Sequence, residues 1–91
     1  MSNAPDTLKE EVKRAIVESL RLPMSADEIE NGMSLFAEGL GLDSIDVLEL
    51  VLEMERRFGV SITDDETGQR VLRSVDTIAD FIVSERARKF A

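Results

Sequence analysis

The chain has 91 residues, 19 acidic against 11 basic, for a net charge of −8, and it contains no cysteine and no histidine. The missing cysteines exclude disulfides, thiolate metal sites and a protein thiol nucleophile. The missing histidines remove the commonest general base and metal ligand; together these absences argue against hydrolases, zinc enzymes and redox enzymes. The negative charge repels nucleic acid and favours partners with basic patches.

Ninety-one residues predict one domain, near the lower end of sizes that fold without staples. Residues 1–5 are expected to form a flexible N-terminal tail, with Ser2-Asn3-Ala4 having the form of an expression remnant, and 6–91 a single domain. No apolar run reaches the ~20 residues of a membrane span, and no signal-peptide pattern opens the chain. The expected location is cytoplasmic.

Asp6 or Thr7 can cap a first helix reaching about Leu22, where Pro23 stops it. Leu8, Val12, Ile16 and Leu20 recur every four residues, widened by Ala15 and Val17. Ser25 to Glu28 has capping-box spacing and predicts a single turn. A long connection follows. Ile29, Met33, Leu35, Phe36 and Leu40 give it apolar anchors, so it should pack across the other helices; burial then offsets the entropy of ordering it.

Gly39-Leu40-Gly41-Leu42 leads into Asp43-Ser44-Ile45, directly ahead of a second helix from about Ser44 to Arg57. Read locally, Asp43 and Ser44 are helix-capping residues whose oxygens accept first-turn amides. The same position suits a phosphate ester, because a helix N-terminus offers amides and partial positive charge. Both roles can hold together. At ~100° per residue, Val47, Leu50, Val51, Met54 and Phe58 make a core face. Ile45, Leu48 and Leu52 make a second stripe beside it, where a small bundle needs only one. Asp46, Glu49, Glu53, Arg56 and Arg57 are expected to cover the remaining surface. The second stripe reads either as a docking face or as part of a wide core.

Gly59 ends this helix, and Val60-Ser61-Ile62 is a short extended link. A minor third helix is expected from Asp65 to Leu72. It is hydrophilic and contains Gly68, so it should be the least stable element. A last helix starts between Ser74 and Asp76, with Val75, Ile78, Ala79 and Ile82 buried and Phe81 at the edge. Its end, Glu85-Arg86-Ala87-Arg88-Lys89, places basic residues where they complement the helix dipole.

The segment Leu40-Gly41-Leu42-Asp43-Ser44-Ile45-Asp46, followed by Leu48-Glu49-Leu50-Val51, resembles the phosphopantetheine attachment motif of acyl carrier proteins. The resemblance extends over most of residues 6–84. It implies an all-α four-helix bundle, with three main helices, one short helix and a long loop between the first two. It implies that Ser44, with Asp43 beside it, carries 4′-phosphopantetheine through a phosphodiester. The arm would come from coenzyme A, added by a separate magnesium-dependent phosphopantetheinyl transferase, since no residue here looks able to activate Ser44. Its terminal thiol would hold acyl groups as thioesters for fatty-acid or polyketide-type biosynthesis. The chain is thus expected to be a monomeric, non-catalytic carrier.

By the same resemblance, Ile45, Leu48, Glu49, Leu52 and Glu55 would meet acyl-loading and synthase enzymes that carry basic docking patches. Arg56-Arg57 departs from the acidic continuation common in fatty-acid carriers and points to a specialised pathway. Relative to the family, the stretch between Asp65 and Val75 is about two residues longer. Phe36, Leu50, Met54 and Ile62 are candidates to line an acyl pocket, although each reads as plain core on its own pattern. A carrier of aminoacyl or peptidyl groups and an unmodified helical adaptor are the alternatives.

Overall fold

The first helix, α1, runs Asp6–Leu20 and buries Leu8, Val12, Ala15 and Ile16. Pro5, rather than Asp6 or Thr7, takes the N-cap position. Its carbonyl accepts the amides of Leu8 at 3.1 Å and Lys9 at 3.2 Å, while Asp6 adds negative charge to the first turn, where the dipole favours it. The helix ends two residues before the expected Leu22. Arg21 turns left-handed at φ 52°, and Leu22 N–H closes back on Val17 O at 3.1 Å, so termination is complete before Pro23. Ala4, expected within a flexible tail, is buried against the core.

The computed structural model describes residues 4–36 and 41–89; Gly39 and Leu40 lie outside the described residues. Among these, every regular element is helical. After α1 come a single 3-10 turn at Ala26–Glu28, α2 at Ser44–Phe58, α3 at Asp65–Val71 and α4 at Val75–Lys89. Three helices are long and one is short. In the 3-10 turn, Glu28 reaches back to accept Ser25 N–H at 2.7 Å, as its spacing foretells.

The long connection packs down as its apolar anchors require. Ile29, Leu35 and Leu42 are buried, with Met33 and Phe36 partly so. Its backbone groups are satisfied at the corner between α3 and α4: Leu35 N–H donates to Arg73 O and Asp76 N–H to Asn31 O, both at 2.9 Å. Leu42 N–H donates in turn to Leu35 O at 3.0 Å. Burial of the side chains and pairing of the backbone together make this path feasible.

In α2, Leu50, Met54 and Phe58 are buried, whereas Val47 and Val51 lie at the edge of the core. Glu53 corrects the expected polar face: it is buried. It falls about 60° from Leu50 around the helix, on the side where Arg57 reaches α1. Arg57 Nε contacts Glu53 at 3.1 Å and its terminal nitrogen contacts Glu18 at 2.8 Å; Arg56 also pairs with Glu53. Two cations and a hydrogen-bonded geometry make burial of one carboxylate tolerable.

Asp64 caps α3, accepting Thr67 N–H at 2.7 Å and its hydroxyl at 3.0 Å. At α4, Ser74 and Thr77 cap reciprocally: Thr77 N–H donates to Ser74 Oγ at 3.2 Å and Ser74 N–H to Thr77 Oγ1 at 2.9 Å. Val75, Ile78, Ala79 and Ile82 are fully buried. Lys9 of α1 bridges to Asp76 of α4 at 3.1 Å. Near the α4 end, Arg86 sits 5.9 Å from the ring centre of Phe58, and Arg88 pairs with Glu85 at 2.9 Å. Part of this basic cluster therefore makes specific contacts rather than acting on the dipole alone.

Candidate functional site

Gly41 adopts φ 74°, a region that side chains with a Cβ disfavour. Nothing lies within 4 Å of where its Cβ would sit, so backbone conformation, not space, calls for glycine. Its N–H donates to Phe36 O at 2.8 Å. This closure buries Leu42 and leaves Asp43 and Ser44 exposed at the start of α2.

Asp43 caps the helix. Its Oδ1 accepts the amides of Ile45 and Asp46, each at 3.0 Å. Asp46 Oδ2 returns the favour by accepting Asp43 N–H at 3.1 Å. The expectation that open first-turn amides would greet a phosphate is therefore corrected for Ile45 and Asp46. Those two donors are already taken, and two carboxylates stand beside the serine. What the helix start offers Ser44 is exposure and fixed position.

Beside Ser44 lies an open groove of about 940 Å³. Val47, Leu48 and Val51 of α2 form one wall, and Ile62, Thr63, Asp64, Gly68 and Gln69 form the other. Of the four residues expected at an acyl pocket, Phe36 and Ile62 line this groove and Leu50 and Met54 do not. Both are fully buried behind it, because their angular position points to the centre of the bundle. Val47, Val51 and Gly68 take their place. Gly68 is itself buried, with Ile62 Cγ2 at 3.6 Å and Val51 Cγ2 at 3.8 Å from its would-be Cβ, which keeps this wall close to α2. The edge position of Val47 and Val51 on the apolar stripe was the available signal.

The second stripe of α2 is solvent-facing: Ile45 is 71% exposed, Leu48 61% and Leu52 58%. The wide-core reading of these three is excluded. Glu49 is exposed beside them. Glu55 differs, being half-buried with Oε2 accepting Ile62 N–H at 2.9 Å, so it braces the link after α2. The two arginines also part company. Arg56 is largely exposed, whereas Arg57 is turned towards α1. The Glu18 hydrogen bond raises the Arg57 pKa above its ordinary value. Asp64 shifts the other way, its pKa lowered by the Thr67 amide and then by the Thr67 hydroxyl.

No cluster of potential metal ligands is found among the described residues, and no described helix is long and apolar enough to cross a membrane.

Residues 10–82 match the family model described as a phosphopantetheine attachment site. The acyl carrier protein of Nitratidesulfovibrio vulgaris strain DP4 is 39% identical over 80 residues, covering 88% of this chain and 99% of that protein. The acyl carrier protein of the Miyazaki F strain is 38% identical over 73 residues, covering 80% and 91%. Among solved structures, the acyl carrier protein from Enterococcus faecalis superposes with a TM-score of 0.67 at 30% identity, covering 88% of this chain and 95% of that one. A helical domain of this kind is a carrier rather than a catalyst, built around a phosphopantetheine attachment site. The chain belongs to the acyl carrier protein family, whose prosthetic group is 4′-phosphopantetheine.

Proposed function

We propose that Ser44 Oγ is the attachment point, and that the chain carries acyl intermediates as thioesters on the arm it bears. The carrying observation is an exposed serine, held by the Asp43 cap at one end of the groove between α2 and α3. The residues fit the group: the hydroxyl is accessible and the groove gives a flexible arm a partly apolar wall to lie along. Attachment forms a bond between Ser44 Oγ and the pantetheine-side phosphorus of coenzyme A. Adenosine 3′,5′-bisphosphate leaves, and the hydroxyl proton passes to the transferase.

Ile45, Leu48, Glu49 and Leu52 form the docking face for that transferase and for acyl-loading and synthase enzymes of fatty-acid or polyketide-type biosynthesis. Three exposed apolar side chains on successive turns, flanked by Glu49, suit partners with an apolar patch rimmed by basic residues. Glu55 contributes less than the other four, since its carboxylate is engaged with Ile62 N–H. Arg56 puts a positive charge at the far end and selects partners that tolerate it. The working unit is one cytoplasmic, monomeric carrier domain that takes in Ala4 and Pro5 together with the expected residues 6–91.

Intact mass tests this reading. Incubation with coenzyme A, magnesium and a broad-specificity transferase should add one phosphopantetheine to the chain. Ser44→Ala should stay folded and gain nothing. No gain under conditions that load a control carrier would favour a docking protein that works unmodified.

A further inference from the structure

Arg73 stands out in the groove. Of its described lining residues, Arg73 is the one with positive charge, set against Asp43 and Asp64. Both carboxylates are spent on capping, Asp43 on two amides of α2 and Asp64 on Thr67. Arg56, Arg57 and Arg88 all sit in ion pairs. Arg73, like Arg14, Arg21 and Arg70, makes none among the described residues, but it alone of these lines the groove. Its backbone, by contrast, is firmly placed. Arg73 O accepts Leu35 N–H, and Leu35 O accepts Leu42 N–H, two residues before Ser44. Two backbone hydrogen bonds through Leu35 thus tie Arg73 to Leu42, and Arg73 lines the same groove as Ser44. A long side chain starting there can meet a ligand that leaves Ser44 along the groove.

The proposed arm brings a phosphodiester into a place where Asp43 and Asp46 are already negative and the amides of Ile45 and Asp46 are already bonded. A counter-charge within reach favours an anion so placed. We propose that Arg73 is the counter-ion for an anionic oxygen borne by the groove's occupant, either the phosphodiester of the arm or a carboxylate on its acyl cargo. Guanidinium suits both, since its planar fork matches phosphate and carboxylate oxygens. This inference rests on attachment at Ser44 and adds a ligand-contacting residue to that site.

The test uses the native chain, Arg73→Gln and Arg73→Lys, each verified by mass as unloaded, bearing the free arm, butyryl-loaded or succinyl-loaded. Failure to load would strike the attachment reading alone. Amide chemical shifts of Ser34, Leu42, Thr63 and Gln69, and the phosphorus resonance of the arm, report the contact. In the native protein, loading should shift these signals; Arg73→Gln should lose the shift and Arg73→Lys should restore part of it. A loss already present with the free arm identifies the phosphodiester as the anion. A loss confined to the succinyl form, and absent with butyryl, identifies a cargo carboxylate. Identical loading shifts in native and Arg73→Gln proteins would overturn the proposal. So would equal disturbance of the unloaded protein, which would make Arg73 a structural residue.

Discussion

Leu48 and Leu50 stand two residues apart on α2 and have opposite environments: Leu48 is 61% exposed and Leu50 fully buried. The inner face, Leu50 with Met54 and Phe58, meets the rest of the bundle. The outer face, Ile45 with Leu48 and Leu52, meets solvent. Both are equally apolar, so hydrophobicity does not tell them apart; position around the axis does. Two residues are ~200° on a helix, and α1, α3 and α4 occupy one side only. The outer stripe buries little surface against the bundle, so core packing does not account for its apolar character.

The comparison breaks most sharply under truncation. Leu50→Ala should cost about 2–5 kcal/mol, as large-to-small changes in a packed core do. Leu48→Ala should stay within about 0.5 kcal/mol yet weaken transferase association. Urea unfolding measures the first and salt-dependent binding the second; equal stability losses would erase the distinction between the faces. The start of the helix is the next lever. Asp43→Ala removes the acceptor for two amides and should cost about 1 kcal/mol, read as a lower unfolding midpoint with Ser44 still present.

The groove wall gives a change of the opposite sign. Gly68→Ala places a methyl at ordinary contact distance from Ile62 and Val51. Helix propensity then predicts a gain of up to about 1 kcal/mol, while the groove narrows. A loss of stability would show that α3 cannot accept the added carbon. The smallest effect is electrostatic. Asp64 has a lowered pKa in the folded chain, so its stabilising contribution is fully present above the ordinary value of about 3.8. It fades as pH falls through the lowered folded value. Asp64→Asn keeps a capping oxygen but does not titrate, so the Thr67 amide signal should move less through that acid window than it does in the native chain.

Much of the geometry around the candidate site was legible in the chain because it depends on local chemistry. Asp43 caps through its own next turn, Gly59 ends α2 in the left-handed region at φ 70°, and the apolar stripes follow from helical period. Those features locate Ser44 and the two faces of α2 without reference to any distant residue. Other features have partners far along the chain. Glu53 is buried because Arg57 reaches Glu18, 39 residues earlier; Glu55 is engaged because the link folds Ile62 back against it.

The same division holds for the groove. Phe36 and Ile62 line it, but Leu50 and Met54 are shielded from it by Val47 and Val51. Arg73 enters only because the loop and the α3–α4 corner are stitched together through Leu35. Period fixes the angle at which a side chain leaves its helix. What it meets there depends on how the helices pack and on which backbone groups pair between them, and only the assembled bundle sets that.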